Sequence, residues 1–138
     1  MNTFNNEFDD ASLGSLFAVS AAPDKLSLDS LAFVGDAVYS LYFRLKTLPQ
    51  AHRRAGHQHN IVKDYVSAPG QKKALEEVEG ILDEEERKIV RRGYNSRGSK
   101  KHGDDEDYRM ATALEVLIGH LFLEGRFRRI KDLLERVI

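Results

Sequence analysis

The sequence predicts an all-α protein, and three observations predict it. Apolar residues recur at three- and four-residue steps, the repeat of a helix that turns one face to a core. No stretch alternates apolar and polar residues with period two, and β-branched residues are sparse. Glycines, prolines and N-capping acids fall between the periodic segments, where helices start and stop. Five to seven helices are expected.

Residues 1–24 read as a loose arm with room for one short helix, ahead of a single domain over 25–138. In the first long helix, expected over 27–48, Leu28, Leu31, Val34, Val38, Tyr42 and Leu45 trace the apolar stripe. Pro49 marks its end, because proline disfavours the helical conformation of the residue before it. A second helix is expected over 50–66 and a third over 72–78, after Pro69 and Gly70, with Gly80 closing it. Asp83 opens a fourth: Asp83-Glu84-Glu85-Glu86 has the spacing of a capping box, and its acids complement the helix dipole. Gly93, Asn95, Gly98 and Gly103 make 94–104 a loop. Two helices follow, over 105–123 and 127–137.

Composition narrows the function. A chain of 138 residues, 41% hydrophobic and 31% charged, suits one folded domain and argues against intrinsic disorder. With no cysteine, disulfide scaffolds, thiol nucleophiles and iron–sulfur sites are excluded. No apolar run approaches the ~18–20 residues of a membrane helix. The start, MNTFNNEFDDASLGSL, lacks the basic and apolar regions of a signal peptide, so a cytoplasmic location is expected. Lys plus Arg number 21 and Asp plus Glu 22, a formal charge of −1. That leaves nucleic acid open as a partner, because the placement of charge matters more than its sum.

Two acids stand where an apolar residue is expected. Asp36 lies inside LAFVGDAVYSLYF (31–43), with Ala32, Phe33, Tyr39 and Ser40 one turn away. Glu115 lies inside ATALEVLIGHLFL (111–123), in a stripe with Ala111, Ile118 and Phe122. A carboxylate buried in a helical core costs several kcal/mol unless it is paired, protonated or bound to a cation. Two brought together also repel. A shared divalent cation relieves both penalties; alternatively each acid caps a helix or pairs with an arginine. Gly35 and Gly119 stand close to these acids, and a mid-helix glycine costs about 1 kcal/mol relative to alanine. Close approach of the two helices would account for both. Asp29, two turns before Asp36, either joins the acids or serves the helix dipole.

Basic residues gather in two places: Arg91, Arg92, Arg97, Lys100 and Lys101 with His102, around a glycine-rich loop, and Arg126, Arg128, Arg129 and Lys131 in the last helix. The first group is a candidate RNA contact, read as a flexible loop that would grip phosphates. The other reading is that such cations satisfy helix C-termini. Tyr94 and Tyr108 flank this loop, as RNA contacts or as core residues. His52, His57 and His59 do not share one helix face, and no zinc site is expected of them. No P-loop, Rossmann fingerprint or Ser-His-Asp arrangement is present.

LAFVGDAVYSLYF resembles the signature helix of the ribonuclease III family, and ALEVLIGHLFL its second acidic helix. KDYVSAPGQ, RRGYN and DYRMATALE are similar to the short Mini-ribonuclease III branch, a catalytic domain without the double-stranded-RNA-binding domain. The resemblance spans about residues 25 to 135. It implies a ribonuclease III endonuclease-domain-like helical bundle. It also implies an Mg²⁺-dependent endonuclease that cuts double-stranded RNA as a homodimer, with Asp36 and Glu115 as metal ligands and catalytic residues. Ala32 and Thr112 stand where longer members carry further acids, and Asp29 where they carry another glutamate. Phe33 matches an aromatic dimer-contact position, unless it is an ordinary core phenylalanine. The implied substrate is the 23S ribosomal RNA precursor, with the help of a ribosomal protein left open. The rival readings are a non-catalytic dimeric RNA-binding or assembly protein and a helical phosphohydrolase acting on nucleotides.

Overall fold

Ser27 opens the first long helix, α1 (Leu28–Thr47): its side chain accepts a hydrogen bond from the Ser30 backbone N–H at 3.1 Å, and Asp29 lies in the first turn. The computed structural model describes residues 16–17, 21–50 and 54–138. Most of the expected arm, and His52, lie outside the described residues. After α1 come α2 (Ala55–Val66), α3 (Ala68–Val78), α4 (Glu84–Tyr94), α5 (Glu106–Leu123) and α6 (Phe127–Leu134), with single 3-10 turns at Leu48–Gln50, Glu79–Ile81 and Gly98–Lys100. Among the described residues there is no strand.

The third helix begins earlier than the sequence signals. Ser67 caps it, accepting from the Gly70 N–H at 3.3 Å, and Pro69 and Gly70 sit inside its first turn. A proline is tolerated there because the first-turn N–H groups have no intrahelical partner. The capping box forms as its spacing predicts: Glu86 N–H donates to Asp83 Oδ1 at 2.8 Å and Asp83 N–H to Glu86 Oε1 at 2.9 Å.

Helix α5 is the axis of the molecule, with α1, α3, α4 and α6 packed around it. Residues 116–121 are buried on every side. The core joins Leu31, Tyr39 and Phe43 of α1 to Leu75 and Val78 of α3, Leu114, Leu117, Ile118 and Leu121 of α5, and Leu133 and Leu134 of α6. The buried stripe of α1 is Leu31, Gly35, Tyr39 and Phe43, rotated from the stripe that the sequence suggests. Leu45 is 57% exposed and Phe33 81% exposed. Apolar residues occupy both faces of α1, so periodicity alone could not say which face the core takes.

Candidate active site

α1 and α5 cross with their backbones in contact. A Cβ on Gly35 would lie 1.7 Å from the Glu115 carbonyl oxygen, and one on Gly119 would lie 1.9 Å from that of Leu31. No side chain fits at either position, which accounts for two glycines inside long helices. The crossing brings Asp36, next to Gly35, against Glu115.

The two acids are not equally placed. Asp36 is exposed and Glu115 half-buried, whereas the sequence reading buried both. Asp36 is open to solvent, as is Phe33 one turn before it. The Glu115 carboxyl is pushed up to about 8, first by burial, then by the negative charge of Asp36 and a hydrogen bond shared with it. Gln71 pulls the other way, donating from Nε2 to Glu115 Oε2 at 3.2 Å. Neither acid caps a helix, and no Lys or Arg ion pair is formed by either among the described residues. The pair therefore carries charge that the protein itself does not neutralise.

That donor set fits a hard divalent cation. Mg²⁺ binds through one or two carboxylates and completes its shell with water and substrate phosphate. Among the described residues no three His, Asp or Glu side chains converge as ligands, so Asp36 and Glu115 are what the chain offers. Asp29 points elsewhere: a Cβ on Gly98 would lie 2.6 Å from its Oδ1. It sits about 10 Å along α1 from Asp36, at ~1.5 Å per residue. The Thr112 hydroxyl donates back to the Tyr108 carbonyl at 3.0 Å and adds no charge.

The basic segment is more ordered than a flexible loop. Buried Ser96 and Ser99 staple it: Ser96 Oγ donates to the Gly93 carbonyl at 2.7 Å, and Ser99 Oγ to that of Ser96 at 2.8 Å. Arg109 lies over the Tyr94 ring, 3.9 Å from its centroid, and donates to the Tyr94 carbonyl at 3.2 Å. The Tyr94 hydroxyl donates to Glu106 Oε1 at 2.6 Å, and the His102 and Tyr108 rings meet edge to face. On this frame Arg91, Arg92, Arg97, Lys100 and Lys101 are all exposed. An open groove of about 430 Å³, lined by Arg87, Arg91, Tyr94 and Met110 among others, runs beside them and includes neither Asp36 nor Glu115.

In the second basic group Arg126, Arg128 and Lys131 are exposed, but Arg129 is not part of that surface. Arg129 turns inward and grips Glu86 at 2.7 and 2.8 Å and the Ile81 carbonyl at 2.6 Å. Gln71 and Arg109 escaped the sequence reading. Both lie inside segments that carry the family resemblance, KDYVSAPGQ and DYRMATALE, but nothing local names their partners, which only the fold shows.

Comparison with known proteins identifies the family. A family model described as the ribonuclease III domain matches residues 29–126. The chain is 63% identical over 123 residues to Mini-ribonuclease 3 of Kosmotoga olearia, covering 89% of this chain and 85% of that one. It is 43% identical over 107 residues to Mini-ribonuclease 3 of a Thermoanaerobacter species, covering 76% and 75% of the two chains. A crystal structure of a Fusobacterium nucleatum protein superposes with a TM-score of 0.75 at 31% identity, covering 86% of this chain and 93% of that one. With the all-α fold and the crossing of α1 and α5 in place, the chain belongs to the ribonuclease III family, in its Mini-ribonuclease 3 branch.

Proposed function

We propose that this protein is a divalent-cation-dependent endoribonuclease that cuts double-stranded RNA, with Asp36 and Glu115 as its metal ligands and catalytic residues and Mg²⁺ as its ion. The observation that carries the reading is the carboxylate pair, held together by a glycine-to-backbone crossing and given no basic partner, in a member of the ribonuclease III family. When bound, Mg²⁺ supplies Lewis-acid stabilisation of phosphate charge and a water ionisable near neutral pH. The chain's own residues do the rest. Asp36 approaches from the open side of α1, where a phosphodiester can reach it, while α5 holds Glu115 rigidly from behind. Arg91, Arg92, Arg97, Lys100 and Lys101 line the duplex phosphates, reading A-form shape rather than sequence. Binding of this kind weakens steeply with salt.

Residues 25–138 form the catalytic domain in this reading, working in the cytoplasm as a homodimer. The exposure of Phe33 supports the dimer. Phe33, Leu41, Leu45 and Leu48 are 81, 50, 57 and 50% exposed, an apolar stripe a solitary chain would leave in water. One cation site per protomer places a cut on each strand. The substrate is the 23S ribosomal RNA precursor, as the likeness to the short branch implies, and a ribosomal protein is a candidate assistant.

A labelled RNA duplex tests the reading. With Mg²⁺ the wild type cuts and with EDTA it does not. Asp36→Asn loses about 10³-fold or more, since metal-borne charge stabilisation is worth several kcal/mol. Binding without cutting under every condition would replace this reading with the non-catalytic RNA-binding one.

A further inference from the structure

We propose that Gln71 is a positioning residue of this site: its side-chain amide fixes one oxygen of Glu115 and holds the carboxylate in the orientation in which it takes a divalent cation jointly with Asp36. The inference rests on the reading of the pair as a cation site, and deepens it. Gln71 is 3% exposed, and a buried amide must find a partner or destabilise the fold. Its Nε2 donates to Glu115 Oε2 at 3.2 Å across 44 residues of sequence.

The frame around Gln71 is fixed on several sides. Ser67 caps α3 one turn before it. A Cβ on Gly70 would lie 2.2 Å from the Asp64 carbonyl oxygen, so only glycine lets α3 seat this deeply on the end of α2. The Tyr39 hydroxyl donates to the Tyr65 carbonyl at 2.7 Å, tying that same corner to α1 three residues after Asp36. The helix that carries Asp36 and the helix that carries Gln71 are thus linked through one corner of the fold.

The chemistry of an amide is what the role requires. A lysine or arginine here would neutralise the pair and compete with the cation, as Arg129 neutralises Glu86. A carboxylate would add a third negative charge, and an apolar side chain would leave Glu115 free to turn. An uncharged donor orients the ligand and leaves its charge for the metal. Partners that orient metal ligands in this way are worth about 10–100-fold in affinity.

The test measures Mn²⁺ binding by electron paramagnetic resonance on the intact chain, together with RNA cleavage kinetics across an Mg²⁺ titration. The variants are Gln71→Met, which keeps the volume and loses the donor, and Gln71→Asn, which keeps the amide and shortens its reach. Both are expected to weaken Mn²⁺ about 10-fold or more. They should also lower kcat at limiting Mg²⁺, recover it at excess Mg²⁺, and leave KM for the duplex near wild type. The melting temperature should stay near wild type in Gln71→Met and fall in Gln71→Asn, whose buried amide loses its partner. Wild-type Mn²⁺ affinity in either variant, once folded, overturns the proposal. So does a loss of kcat that excess Mg²⁺ does not restore, which marks a structural role. If the wild type itself binds no Mn²⁺, the cation reading of the pair fails and this inference falls with it.

Discussion

Glu86 and Glu115 are both glutamates turned in toward the packed helices, and the protein treats them in opposite ways. Glu86, 1% exposed, receives two hydrogen bonds from Arg129 and one from the Asp83 backbone. Burial works to raise its carboxyl, yet the bonds from Arg129 and Asp83 outweigh it and hold the group below the usual glutamate range. Glu115 faces a second acid and a neutral amide, and is pushed up to about 8 by burial and by Asp36. The chain neutralises the acid that builds its fold and leaves the other short of positive charge. A carboxylate pair left without a basic partner is one that an external cation could complete, as the proposed function requires.

Removing the cation from the neutralised pair sharpens the contrast most. Arg129→Met strands Glu86 as a buried charge and is expected to cost about 3 kcal/mol or more of unfolding free energy. Folded Arg129→Met should still cut duplex RNA. Urea unfolding beside a single-turnover assay separates the two effects.

Glu115→Gln should act with the opposite sign. It removes the like-charge contact, so the metal-free protein at pH 8 becomes more stable while cleavage is lost. The wild type should show the same effect through pH. The folded-state value of Glu115 lies above its unfolded one, so folding takes up a proton and the associated stability is present below about pH 4.5. That stability is lost as pH rises toward about 8, at no more than about 1.4 kcal/mol per unit. Glu86 is shifted downward and affects stability only at more acid pH. Unfolding free energies from pH 5 to 8 in EDTA should therefore fall for the wild type and stay flatter for Glu115→Gln. Parallel profiles would remove the contrast.

The helical architecture was legible because its signals are local: the three- and four-residue apolar repeat, the capping box at Asp83 and the glycines that end helices. Asp36, Glu115, Gly35 and Gly119 stood out because each breaks the character of its helix. What was not legible depends on the three-dimensional arrangement. α1 is apolar on two faces, and only packing shows that Leu31, Tyr39 and Phe43 are buried while Phe33 and Asp36 are open. Gln71 and Arg129 resemble any surface glutamine and arginine until their partners, 44 and 43 residues away in sequence, are known.

The open face of α1 yields the smallest expected effect on folding. Phe33→Glu replaces an exposed side chain, so monomer stability should shift within about 0.5 kcal/mol. If the open face of α1 is the interface of the proposed homodimer, that dimer should dissociate, read by sedimentation equilibrium. A dimer that survives Phe33→Glu would place the interface elsewhere.

The most direct test of the contrast between the two glutamates is a carbon-13 carboxyl titration of Glu115 and Glu86 by NMR, with and without Mg²⁺. Without the ion, Glu115 should titrate near 8 and Glu86 below the usual glutamate range. With Mg²⁺, the Glu115 midpoint should fall by more than one unit and Glu86 should not move. A Glu115 that titrates in the ordinary carboxylate range without metal, or that ignores Mg²⁺, would contradict the assignment of Asp36 and Glu115 as the cation site.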